Sequence, residues 1–134
     1  MFYYPQNLTY NMGEGKFGTS LSCIDGRVQN PISKWIQEKY SLDYIDTITE
    51  PGMDKVIATH PDLESIKSKA QISINAHKSG LIVVSGHYNC AANPVSDEEH
   101  IELIKKCVQT ISSWDLDVEV AGVWVDSSWN VVPV

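Results

Sequence analysis

The 134-residue chain has no hydrophobic run long enough to span a membrane. Its longest apolar stretches, such as Leu81-Ile82-Val83-Val84, fall far short of the roughly 20 residues a spanning helix needs. Basic residues are also scarce: 10 Lys and Arg stand against 17 Asp and Glu, a net charge of −7, which argues against a surface built for nucleic acid or an anionic membrane. The N-terminal stretch has neither a basic start nor a sustained apolar segment, so no secretory signal is expected. Cysteine is sparse and odd in number, with 3 residues, which does not suit a disulfide framework. These absences point to a reducing, cytoplasmic setting in which thiols bind metal, react or fill core. No internal repeat or low-complexity tract is present. The length allows one domain at roughly 150 residues per domain. With 43% hydrophobic and 20% charged residues the composition is that of an ordinary globular protein, not a disordered one.

Residues 1–18 are rich in Tyr, Asn and Gly without a clean period and read as an irregular arm, followed by a single α/β domain over 19–134. Phe2, Tyr3, Tyr4 and Tyr10 make the arm aromatic enough to pack on the body or on a partner chain. Beyond it, strand-like and helix-like stretches alternate. A short strand is expected over 19–23. Asn30-Pro31 reads as a helix cap and first helical residue, and Ile32, Trp35, Ile36 and Tyr40 follow as an apolar stripe. A second strand over 44–48 ends at Pro51-Gly52. Pro61-Asp62 reads as the next helix start, Leu63, Ile66, Ala70, Ile74 and His77 as its periodic face, and Gly80 as its C-cap. The unbroken aliphatic run 81–84 has the character of a central strand buried on both faces. Ser96 and Glu99 form a capping box ahead of a helix carrying Ile101, Ile104, Val108 and Ile111. A last long strand is expected over 118–125 and a short edge strand over 131–134. This order predicts a mostly parallel sheet of about four to five strands flanked by helices, with the ligand crevice at the carboxyl ends of the strands.

Two short stretches carry chemistry: Cys23-Ile24-Asp25-Gly26-Arg27 and His87-Tyr88-Asn89-Cys90. His and Cys three apart at a strand-to-loop turn can hold one ion, and two thiolates with an imidazole favour Zn²⁺. If the first and third strands are neighbours, Cys23 reaches the same crevice and supplies the third ligand. Alone the His-x-x-Cys pair is weak; joined to a Cys at another strand end it is much stronger. Asp25 can reach the metal or its water, and Arg27 can grip that carboxylate in a bidentate pair; a plain structural ion pair is the bland alternative. Cys107 falls mid-helix near the apolar face and reads as core. His60, His77 and His100 are assigned no part in the metal site, and the Trp and Tyr residues no chemistry. A thiol phosphatase or sulfurtransferase loop needs Cys-x5-Arg, but Gln29 occupies that Arg position.

The pairing of Cys-x-Asp-x-Arg at 23–27 with His-x-x-Cys at 87–90 resembles the β-class carbonic anhydrases. Gly122-Val123-Trp124-Val125-Asp126 is similar to the family's last strand. Gly26 and Ala91 stand where the family usually has Ser and Gly, and Ile48-Thr49-Glu50-Pro51-Gly52 keeps only the Gly of its Arg-Asn-Ala-Gly stretch. The resemblance implies a β-carbonic-anhydrase-like fold, zinc as cofactor and Cys23, His87 and Cys90 as its ligands. Asp25 and Arg27 would be the catalytic dyad, with Asp25 able to act as a fourth ligand in a closed state. It further implies a zinc lyase acting on carbon dioxide and bicarbonate, by attack of zinc-bound hydroxide, and a homodimer or higher homo-oligomer. Other readings on the same scaffold are a non-catalytic or regulatory zinc protein and a hydrolase of carbonyl sulfide or carbon disulfide.

Overall fold

The apolar run that begins at Leu81 becomes the spine of the molecule. In a computed structural model that describes residues 15–134, it forms β3 (Leu81–His87), every residue of which is buried. β1 (Phe17–Ser22) lies on one side of it and β4 (Glu119–Val125) on the other, both parallel. β2 (Tyr44–Thr49) pairs parallel with β1, and β5 (Val131–Pro133) returns antiparallel on β4. The order β2-β1-β3-β4-β5 therefore makes the first and third strands neighbours, with Leu21 beside Val84. Of the arm read over 1–18, residues 1–14 lie outside the described residues, and β1 opens within its last part, at Phe17.

Alternation along β3 divides the core in two. Ile82 and Val84 face a cluster with Leu21, Met53, Ile57, Ile66 and Ile111. Leu81 and Val83 face the opposite cluster, with Val28, Ile32, Ile36 and Val123. At about 1.5–3 kcal/mol for each fully buried aliphatic side chain, both faces must be covered for the sheet to persist. α1 (Gly26–Tyr40) covers the second face. The first is covered by α2 (Met53–Thr59), α3 (Glu64–His77) and α4 (Asp97–Ser112).

Three expected helix ends move. α1 does not start at Asn30-Pro31 but at Gly26, because the Asp25 carboxylate caps it by accepting the Arg27 N–H at 2.9 Å. Pro31 lies inside the helix, where it forfeits only the bond its missing N–H would have made to the Arg27 carbonyl. α3 starts at Glu64 rather than at Pro61-Asp62, the Asp62 side chain accepting the Glu64 N–H at 3.1 Å. Its C-cap is Lys78, in left-handed geometry at φ 59°, and not Gly80. The Ser96 cap holds, accepting the Glu99 N–H at 3.2 Å. α2 has no counterpart in the sequence reading: a helix this short buries Met53, Asp54, Ile57 and Ala58 but shows barely two turns of periodicity. Among the described residues, no helix is long and apolar enough to cross a membrane.

Candidate metal centre

The neighbouring β1 and β3 both end at the same edge of the sheet, so the residues that follow them converge. Cys23 comes directly after β1, His87 is the last residue of β3, and Cys90 lies on the turn beyond it. Their ligand atoms all lie within 4.8 Å of one another, with the two sulfurs 4.0 Å apart, and all three residues are buried. Tetrahedral ligands at about 2.3 Å from zinc sit about 3.8 Å apart, so little adjustment is needed to close them on one ion. His87 Nδ1–H donates to the Tyr88 carbonyl at 2.8 Å, which fixes the tautomer and turns Nε2 inward. That Nε2 is the one buried side-chain polar atom without a hydrogen-bond partner among the described residues. An orphaned buried nitrogen is costly, and facing two sulfurs it is what a metal ligand looks like before the metal is counted. The donor set of two thiols and one imidazole fits zinc.

The electrostatics differ among the three candidate ligands. Burial pushes the Cys23 thiol up, but the His87 ring beside it and the backbone N–H groups of Gly52 and Asp25 outweigh that and bring it down to about 7. The Gly52 N–H lies 3.4 Å from the sulfur. Gly52 holds φ +64°, and a Cβ there would meet the Ala92 Cβ at 3.2 Å, so glycine is needed both for the turn and for the close approach. This gives a local reason for the one residue retained from the stretch 48–52. Burial and then the Cys23 charge raise the Cys90 thiol, against hydrogen bonds from the Asn93 and Ala92 N–H groups. Burial would lower the His87 pKa, yet Cys23, the Tyr88 carbonyl and Asp25 raise it.

Asp25 and Arg27 are paired side by side beside these atoms. Arg27 Nη2 and Nε contact Asp25 Oδ2 at 2.7 and 3.2 Å, and Nε reaches Oδ1 at 3.0 Å. This fork holds the carboxyl down at about 2. Oδ2 is also 4.0 Å from His87 Nε2, so the clamped carboxylate borders the metal-ligand atoms. The residues that hold the clamp in place were not legible beforehand. Arg27 donates to the Asn89 side chain at 3.2 Å and its carbonyl at 3.1 Å, and its guanidinium lies 4.7 Å from the Trp129 ring centroid. Asn89 and Trp129 both adopt positive φ, for which only Asn carries a sequence signal. Gln29 Nε2 staples the loop by donating to the Cys23 and Asp25 carbonyls at 2.7 and 3.0 Å. A cleft of about 240 Å³ opens at the site, lined by Cys23, Ile24, Asp25, Pro51, Ala91 and Ala92.

The other candidates lie elsewhere. Cys107 is fully buried in α4, its thiol pushed up to about 12 by burial and the Asp54 charge. His60 bonds locally to Asp62, and His77 pairs with Asp46 at 2.6 Å and stacks on Phe17. His100, assigned nothing from the sequence, is buried against Asp54.

Compared with known proteins, residues 13–134 match the model of a family described as "Putative carbonic anhydrase". No curated protein matches the chain in sequence. Among solved structures it is similar to a carbonic anhydrase from Glaciozyma antarctica, at a TM-score of 0.60 and 12% identity, covering 86% of this chain and 80% of that one. Tetrameric β-carbonic anhydrases from Sordaria macrospora align at a TM-score of 0.55 and 13% identity, over 97% of this chain and 85% of theirs. A Coccomyxa β-carbonic anhydrase in complex with acetazolamide aligns at 0.54 and 15%, over 89% of this chain and 71% of that one. At such identities the structural likeness is one of fold: a single α/β domain on a five-stranded, mostly parallel sheet of the β-carbonic anhydrase type.

Proposed function

The chain belongs to the putative carbonic anhydrase family, and on that premise we propose that it is a zinc-dependent carbonate dehydratase interconverting carbon dioxide and bicarbonate. The observation that carries the reading is the unpartnered, buried His87 Nε2 facing the Cys23 and Cys90 sulfurs, with a clamped carboxylate at its edge. Cys23, His87 and Cys90 would hold the metal. Zinc supplies the Lewis acidity that brings the pKa of water down to about 7.

The protein's own residues do the rest. Asp25, ionised down to about pH 2, remains a hydrogen-bond acceptor at any working pH. Arg27 occupies one side of the carboxylate and leaves a lone pair of Oδ2 able to accept a hydrogen bond from the attacking water and orient it. The same clamp keeps Asp25 from swinging in as a ligand itself. Ile24, Pro51, Ala91 and Ala92 offer an apolar wall suited to a small uncharged substrate. Homodimers or higher assemblies belong to this reading: the outer edges of β2 and β5 and the exposed Tyr44, Ile72 and Val132 are surfaces a second copy would cover.

The test is zinc content together with stopped-flow hydration of carbon dioxide. About one zinc per chain and a rate that rises with pH are expected. Zinc bound without turnover at any pH would leave a non-catalytic zinc protein; no zinc at all would refute the site.

A further inference from the structure

Across the sheet from α1, behind the metal-ligand residues, lies a second polar cluster that the proposed chemistry does not use. Asp54 of α2, only 2% exposed, faces His100 of α4, with Oδ2 2.5 Å from the ring Nδ1. Its other oxygen accepts the Lys55 N–H at 2.9 Å and the Asn93 side-chain amide at 3.1 Å. Asn93 is itself 2% exposed. The strand is shaped around this carboxylate as well: a Cβ on Gly86 would lie 2.5 Å from Asp54 Oδ2.

A buried carboxylate–imidazole pair is an expensive way to hold two helices together, since apolar side chains of the same volume commonly do as well or better. What apolar packing cannot supply is direction. Asn93 spends its side chain on Asp54 and lies three residues after Cys90, on the turn that follows it. Ala92, on the same turn, lines the cleft beside Cys23. Asp54 thus bears at once on Gly86, the neighbour of His87, and on the turn that carries Cys90.

We infer that Asn93, gripped by the buried Asp54–His100 pair, is a positioning residue for the metal centre, fixing the turn that carries Cys90. The inference rests on the zinc reading and adds to it a layer that acts through the ligands without touching substrate. Side chains that hold metal ligands from behind typically account for 10–100-fold in metal affinity.

The experiment measures zinc affinity by competition with a chromophoric chelator, and the sulfur-to-metal absorption of the cobalt-substituted protein, for wild type, Asn93→Ala, Asn93→Asp and Ile36→Val. Asn93→Ala should weaken zinc about 10–100-fold and alter the cobalt spectrum. Asn93→Asp keeps the shape but sets an oxygen against Asp54 where the amide donor stood, so it should weaken zinc further at neutral pH. Ile36→Val, in the core under α1, should lower the melting temperature and leave zinc affinity alone. If Asn93→Asp does not fold, Asn93→Ala against wild type and the Ile36 control decides. Wild-type affinity in the Asn93 variants overturns the inference. So does tighter binding by Asn93→Asp than by Asn93→Ala, which would mean that Asn93 merely fills space, or an equal loss in Ile36→Val. Wild type that binds no zinc overturns the site reading and this one together; wild type that binds zinc beside indifferent Asn93 variants overturns this one alone.

Discussion

Replacing Arg27 by alanine removes the fork on Asp25, both contacts to Asn89 and the stacking on Trp129. Two consequences of different size follow. For stability, the guanidinium is 47% exposed and screened by solvent, so the melting temperature should fall only slightly. The loss should concentrate above the acid range. With Arg27 in place, the Asp25 pKa of about 2 lies below its ordinary value of 3.8; its contribution is therefore present above that ordinary value and disappears as pH falls through 2. Without Arg27 the carboxyl returns toward its ordinary range, and this part of the acid dependence vanishes. For activity, an acceptor that is no longer aimed forfeits its share of proton handling, about 10²-fold or more in kcat. Freed, Asp25 needs to cover only the 4.0 Å that separates it from His87 Nε2 to enter the ligand space. Zinc should then be held as tightly as in wild type or more so. Arg27→Lys keeps the charge but not the fork and should fall between the two. The assay pairs zinc stoichiometry with stopped-flow hydration across pH. Wild-type rates with zinc retained would eliminate the dyad, and loss of zinc would make Arg27 part of the metal site instead.

Cys23→Ser, His87→Ala and Cys90→Ser should each strip zinc, while Cys107→Ser, whose thiol donates to the Asp54 carbonyl rather than facing the ligand atoms, should retain it; metal analysis of the four proteins decides. In metal-free protein, thiolate absorbance should show one cysteine titrating near 7, and His87→Ala should move that step upward, because the ring beside Cys23 is the largest of the influences that lower it. An unmoved midpoint would show that the backbone amides suffice. Gly52→Ala forces a side chain into left-handed backbone and against Ala92, which should cost about 1–3 kcal/mol and weaken zinc by displacing the N–H from Cys23; thermal melts and chelator competition report the two effects separately. Light scattering at working concentrations should give a mass of at least two chains, and a monomer would count against the covering of the β2 and β5 edges.

The amino-acid sequence by itself determined the frame. A short, β-branched, all-apolar stretch suits an interior strand, because no face of it tolerates water, and 81–84 became the first half of β3. The two cysteine-bearing motifs were legible for a similar reason: donor residues at strand ends are chemistry that a loop has no packing use for. What the sequence could not determine is whatever depends on partners distant along the chain. Asp25 caps α1 in place of Asn30 because its carboxylate is already turned toward Arg27, and a cap residue competes on local geometry that composition does not record. α2 was invisible because its few buried residues have no periodicity of their own. Asn89 and Trp129 acquire their roles only once the ends of β1, β3 and β4 are brought side by side. Asp54 and His100, 46 positions apart, carry no joint signal in the sequence until the packing of α2 against α4 buries both. Tertiary structure decides such pairs because burial is a property of the whole assembly: a carboxylate becomes an organising centre only after water has been removed from around it.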